Sequence, residues 1–119
     1  MNVVFGDEVA KAIEDKYTLL ELDTLFIKEG IDPMTNYAAI GPGDIPFDNF
    51  VKLKHIIPLH EGLIRNYKEQ NWDICLQLLE ELHGSVDPFM DSFYEILLSR
   101  ITKQMADPTN DWTPIVDVS

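Results

Sequence analysis

The side chains in this chain that could do chemistry are its carboxylates, three histidines and one cysteine, and their spacing limits what each can do. Glu21-x-Asp23 falls on alternate positions, and alternate positions of a strand share a face. Two carboxylates on one strand face can serve a magnesium-dependent nuclease. Such a site also needs a lysine and another acid on a neighbouring strand, and Lys28 lies at the far end, in or near a turn. His55, His60 and His83 are not spaced four apart, the interval that puts two imidazoles on one helix face, so they predict no metal centre. His55 and His60 are expected to be partly exposed on either side of Pro58, and His83 to sit in a last helical turn, where the dipole favours it. Cys75 falls on the apolar side of a helix with no base assignable to it, which predicts a buried small side chain rather than a nucleophile. Gly41-Pro42-Gly43 is too short to cradle a phosphate, and its proline removes an amide. No catalytic residue, metal ligand or cofactor is therefore expected.

The acids matter more as a population. Twenty-one Asp and Glu stand against nine Lys and Arg, a net charge of −12, which repels nucleic-acid phosphate and argues against direct DNA or RNA binding. Between Lys68 and Arg100 there is no lysine or arginine, while Glu69, Asp73, Glu80, Glu81, Asp87, Asp91 and Glu95 all fall there. Asp73, Glu80, Glu81, Asp87, Asp91 and Glu95 form the candidate interaction face, suited to a basic protein partner. The competing readings are a solvated surface, an acidic DNA mimic, and a metal-dependent hydrolase or nuclease built on grouped carboxylates. Glu80-Glu81 followed by Asp91-x-x-x-Glu95 invites comparison with the helical nucleotide pyrophosphatases of MazG type. Those use Glu-x-x-Glu and then Glu-x-x-Asp, so the spacing fails on both helices.

The elements that must position these residues follow from periodicity. Asp7 can cap a short helix to about Lys16, preceded by Val3, Val4 and Phe5 as a strand or an arm. YTLLELDTLFI, residues 17–27, suits a half-buried strand, with Leu20, Leu22 and Phe26 on one face. Gly30 and Asp32-Pro33 make a turn, and residues 36–40 read as a second strand, so a two-stranded antiparallel hairpin is predicted. From Ile45 to Ile57 the apolar spacing is helical, with Asp44 and Pro46 near the start and Phe47, Phe50, Val51, Leu53, Ile56 and Ile57 as apolar positions. Pro58 should kink or end that helix before it restarts at Leu59. Leu59, Leu63, Ile64 and Tyr67 then run into Asn71, a candidate N-cap. Trp72, Cys75, Leu79 and Leu82 form the stripe of the next helix, Gly84 stops it, and Asp87-Pro88 opens a last helix carrying Met90, Phe93, Tyr94, Leu97, Ile101 and Met105.

A helix ending in Tyr67 and followed at once by Asn71, Trp72 and Cys75, with Leu79, Leu82 and Pro88 beyond, resembles a single tetratricopeptide-repeat hairpin across residues 59–101. The small-residue position of the first helix has no match, and the period does not recur. The resemblance therefore implies one helical hairpin with a following helix. LELDTL on a strand, Asn71-Trp72 at a helix start and DSFYEILLSRI closing the domain also look like small uncharacterised acidic proteins of tailed marine phages, a likeness that implies no known activity.

The predicted fold is α+β: a short N-terminal helix and a two-stranded antiparallel hairpin packed on a C-terminal layer of three to four antiparallel helices. One compact domain is expected over residues 1–106, with Leu22 and Phe26 sharing a core with the helices. Residues 107–119 should be an irregular tail whose Trp112, Ile115, Val116 and Val118 could clamp back or meet a partner. With no apolar run long enough to span a bilayer and no basic, apolar leader in MNVVFGDEV, the expectation is a soluble, cytoplasmic protein with no membrane partner. The predicted function is a non-enzymatic protein–protein interaction module, with a homodimer through an open hairpin edge as a further expectation.

Overall fold

The run TLLELDTLF, with four leucines, two threonines and a phenylalanine, forms β2 (Thr18–Phe26), and MTNYAAI forms β3 (Met34–Ile40). The two pair antiparallel across a turn in which Gly30 takes φ +85°, a left-handed backbone that glycine adopts at no steric cost. The structure is a computed structural model and describes residues 2–41, 50–85, 88–109 and 112–117. The expected Pro42-Gly43 stop, the helix start with Asp44, Pro46 and Phe47, Asp87 as a cap, and Val118 lie outside those residues.

The hairpin does not stand alone. β1 (Asn2–Phe5) pairs antiparallel with β3, and β4 (Ile115–Asp117) pairs parallel with β2, giving a mixed four-stranded sheet in the order β1-β3-β2-β4. A two-stranded ribbon leaves a row of unpaired backbone groups along each edge, and here both rows are taken up within the chain. Among the described residues, the strands with an edge left for a second copy are β1 and β4. The segment predicted to be an irregular tail thus contains a strand, one too short to show a period of its own.

The register corrects a second expectation. Glu21 stands opposite Tyr37 and Thr24 opposite Thr35, so β2 carries one extra residue between them, a bulge. Alternation reverses across it: Leu20 shares a face with its partner Ala38, while Thr24 and Phe26 share the face of Thr35 and Tyr37. Leu20, Leu22 and Ala38 are buried and Phe26 is half-buried, so Leu20 and Phe26 do not form one apolar face.

α1 (Asp7–Ile13) is shorter than predicted, and Asp7 is its first residue rather than its cap. Gly6, at φ +89°, occupies the cap position; its N–H donates to the Thr35 carbonyl at 2.8 Å, which continues the β1–β3 ladder to the start of the helix. The Asp7 carboxylate accepts from the Tyr37 hydroxyl at 2.5 Å and so fastens α1 to β3. Burial, that hydrogen bond and the charges of Asp7 and Glu21 push the Tyr37 phenol well above its ordinary range.

The chain divides into two compact units, Met1–Phe50 with Thr113–Ser119, and Val51–Trp112. The second is built from α2 (Phe50–Lys68), α3 (Trp72–Leu82) and α4 (Pro88–Ala106). α2 is one continuous helix that includes Pro58 and does not end and restart. Its buried positions Leu53, Ile56, His60, Leu63, Ile64 and Tyr67 are therefore one stripe at three- and four-residue steps. Cys75 lies against Leu63 and Trp72 against Tyr67, and His60 meets Tyr94. His83 meets Glu95, and the Gly84 amide meets Asp91. The order of these pairs makes the helices run up, down and up, as the spacing predicts.

The junctions are tight. At the end of α2 the Gln70 N–H donates to the Tyr67 carbonyl at 3.2 Å and the Asn71 N–H to the Asn66 carbonyl at 2.9 Å, the paired bonds of a Schellman stop. Gln70 itself takes φ +62°. Asn71 makes no side-chain cap bond to α3; its amide group donates to Asn66 Oδ1 at 3.0 Å and Glu69 Oε2 at 3.2 Å. Gly84, at φ +81°, follows α3 as the sequence predicts. After α4, the buried Gln104 holds the Thr109 carbonyl at 3.2 Å. Trp112 then closes a three-ring cluster, edge-on to Tyr67 at 5.3 Å and to Trp72 at 5.1 Å.

Candidate interaction face on the α3–α4 hairpin

On α3 the core stripe takes Cys75, Leu79 and Leu82, which leaves Asp73, Glu80 and Glu81 exposed on the other side. On α4 the core takes Met90, Phe93, Tyr94, Leu97 and Ile101, and Glu95 is exposed while Asp91 is half-buried. Five of the six predicted acids are thus placed, and Asp87 lies outside the described residues. The five do not act as one group. Asp91 accepts the Gly84 N–H at 2.7 Å, so it closes the α3–α4 junction. Glu95 faces His83 across the hairpin, Oε1 to Nε2 at 3.3 Å, an exposed contact of small energetic weight.

Glu80 and Glu95 flank a groove between the two helices. Leu76, Leu79, Tyr94 and Leu98 line it with Glu80, His83 and Glu95, and its volume is about 260 Å³. Leu98 is 43% exposed there. Asp73 belongs elsewhere, to a more open hollow of about 490 Å³ with Gln70, Asn71, Trp72, Ile74 and Met105. Glu81 lines neither; its backbone carbonyl accepts from Ser85 Oγ at 2.8 Å. The predicted acidic face therefore resolves into an acid-rimmed apolar groove and a separate patch at the α2–α3 corner. The groove is not among the features predicted from the sequence. A signal was there: Ile96, Leu97 and Leu98 are consecutive apolar residues on one helix and cannot all face the core, and Ile96 is 48% exposed.

The other chemical candidates occupy structural positions. His60, expected to be partly exposed, is fully buried, because the unbroken α2 turns it onto the core stripe. Its Nδ1 is 2.9 Å from the Tyr94 hydroxyl, and its ring packs against Phe93 and Tyr94. His55 is exposed. Cys75 is fully buried, and burial pushes its thiol up to about 11, which makes a poor nucleophile. The alternation that would carry Glu21 and Asp23 on one face is interrupted by the bulge before Thr24. Among the described residues, no three His, Cys, Asp or Glu side chains stand close enough to hold a metal ion, and no helix is long and apolar enough to cross a membrane. No protein-family model, curated protein or solved structure matches this chain.

Proposed function

We propose that this chain is a non-enzymatic protein-interaction module whose α3–α4 face receives a basic protein partner. The observation supporting it most directly is the exposure of Glu80, Glu81 and Glu95 on two antiparallel helices, with Asp73 exposed at the adjoining α2–α3 corner, in a stretch with no lysine or arginine from Glu69 to Ser99. A hydrolase gathers its acids into a concave centre; here they are spread along the outside of a hairpin, the arrangement that steers an oppositely charged surface.

Two matched variants test this by calorimetric titration with a lysine- and arginine-rich polypeptide. In one, Asp73→Asn, Glu80→Gln, Glu81→Gln and Glu95→Gln neutralise the face. In the other, Glu8→Gln, Glu14→Gln, Asp15→Asn and Glu29→Gln neutralise four exposed acids of the sheet unit. The first should weaken binding by about tenfold and the second by no more than about threefold. Equal losses would reduce the attraction to net charge and overturn the assignment. A rise of several degrees in melting temperature with sub-millimolar manganese would favour the grouped-carboxylate hydrolase instead. Competition by duplex DNA for the same partner would identify a DNA mimic.

A further inference from the structure

We infer that the groove between α3 and α4 seats the apolar side chains of an amphipathic helix whose flanks are lysine and arginine. The inference rests on the interaction-module reading and adds what is bound and where. The lining is apolar, formed by Leu76, Leu79, Tyr94 and Leu98; Tyr94 and Leu79 are buried beneath it, so half-buried Leu76 and exposed Leu98 are the side chains a partner would meet. At about 260 Å³ the groove is at the lower end of the roughly 300–1,000 Å³ of small-molecule sites. It suits one or two leucine-sized anchors.

Length favours a helix as the occupant. The α3 side of the groove runs from Leu76 to His83, roughly 10 Å at 1.5 Å per residue. Side chains three or four apart on a partner helix stand about 5–6 Å from each other, so two successive anchors fit that span. A third helix laid along two antiparallel ones extends the packing already present in this unit.

Charge fixes the flanks. Glu80 and Glu95 are exposed on the two sides of the groove, Glu95 at 66%, and cationic residues beside the anchors would meet them. A second copy of this chain is disfavoured as occupant, because it would bring another net charge of −12 to the same rim.

The test is fluorescence anisotropy of the full chain with two labelled peptides of about five turns and identical lysine–leucine composition. One carries its leucines at i, i+3, i+4 and i+7, and the other is scrambled to have no apolar stripe. The striped peptide should bind about tenfold more tightly. Leu98→Asp should abolish the difference, and Ile96→Asp, exposed to a similar degree but outside the groove, should leave it unchanged. Nitrogen-15 amide shifts of the unmodified protein, which need no variant, should move at residues 76–83 and 94–98. Equal binding of the two peptides, or equal damage from Leu98→Asp and Ile96→Asp, would overturn the groove while the acidic-face reading stands. Binding of neither peptide would overturn both.

Discussion

Gln70 ends α2 in a conformation that belongs to glycine. At φ +62° its Cβ crowds the backbone, a cost of about 1–2 kcal/mol for an L-residue, set against the roughly 0.5–1 kcal/mol of chain entropy that glycine loses on folding. Its amide and that of Asn71 satisfy the last carbonyls of the helix, so the turn is held by bonds that do not depend on the side chain. Gln70→Gly should therefore raise stability by about 0.5–1 kcal/mol, read as a higher urea midpoint at unchanged slope. An unchanged or lower midpoint would show that the glutamine side chain compensates through its contacts. The sequence placed the chain reversal between Tyr67 and Trp72 because the stripe ending at Tyr67 runs into Asn71, a candidate N-cap. The left-handed residue itself was not legible, since nothing about glutamine favours that region. Asn71 looked like a cap because its chemistry permits one, but its amide is engaged with Asn66 and Glu69.

The elements show where local reading fails. The helix start at Pro88 and the stop at Gly84 were legible, because proline and glycine act on their own backbone; the start at Trp72 was placed correctly although Asn71 makes no cap bond there. Pro58 misled, since a proline inside a helix costs one hydrogen bond and some crowding, and tertiary burial can outweigh that. Here the stripe from Leu53 to Tyr67 supplies the burial, and the error carried over to His60, whose environment depends on α2 being continuous. The β2 bulge and the β4 pairing were illegible for a different reason: both are set by register with strands elsewhere in the chain. Pro58 is exposed, so replacing it removes little packing and restores a backbone donor. Pro58→Ala should stabilise the chain by about 1–3 kcal/mol, measured as a rise in melting temperature. A loss of stability would mean that the proline sets a helix geometry the core requires.

For the whole molecule, composition was the most legible feature, and it sets a conflict between stability and binding. A net charge of −12 works against any compact state through self-repulsion, which salt screens. Raising sodium chloride from about 0.01 M to about 0.5 M shortens the screening length from roughly 30 Å to under 8 Å. The melting temperature should therefore rise by several degrees, against the usual expectation that salt weakens a protein held by surface ion pairs. The groove sharpens the conflict. Glu80 is exposed beside Glu95 and His83, in a stretch of sequence with no lysine or arginine, so Glu80→Lys relieves repulsion at low salt and should raise the melting temperature there. The same substitution places a positive charge on the rim and should weaken the striped basic peptide by about tenfold. Opposite signs in the two measurements are what a face kept for binding produces, because the acid is then unfavourable for folding and favourable for recognition. A solvated surface with no partner would give the stability gain and no change in affinity, and that result would remove the groove from consideration.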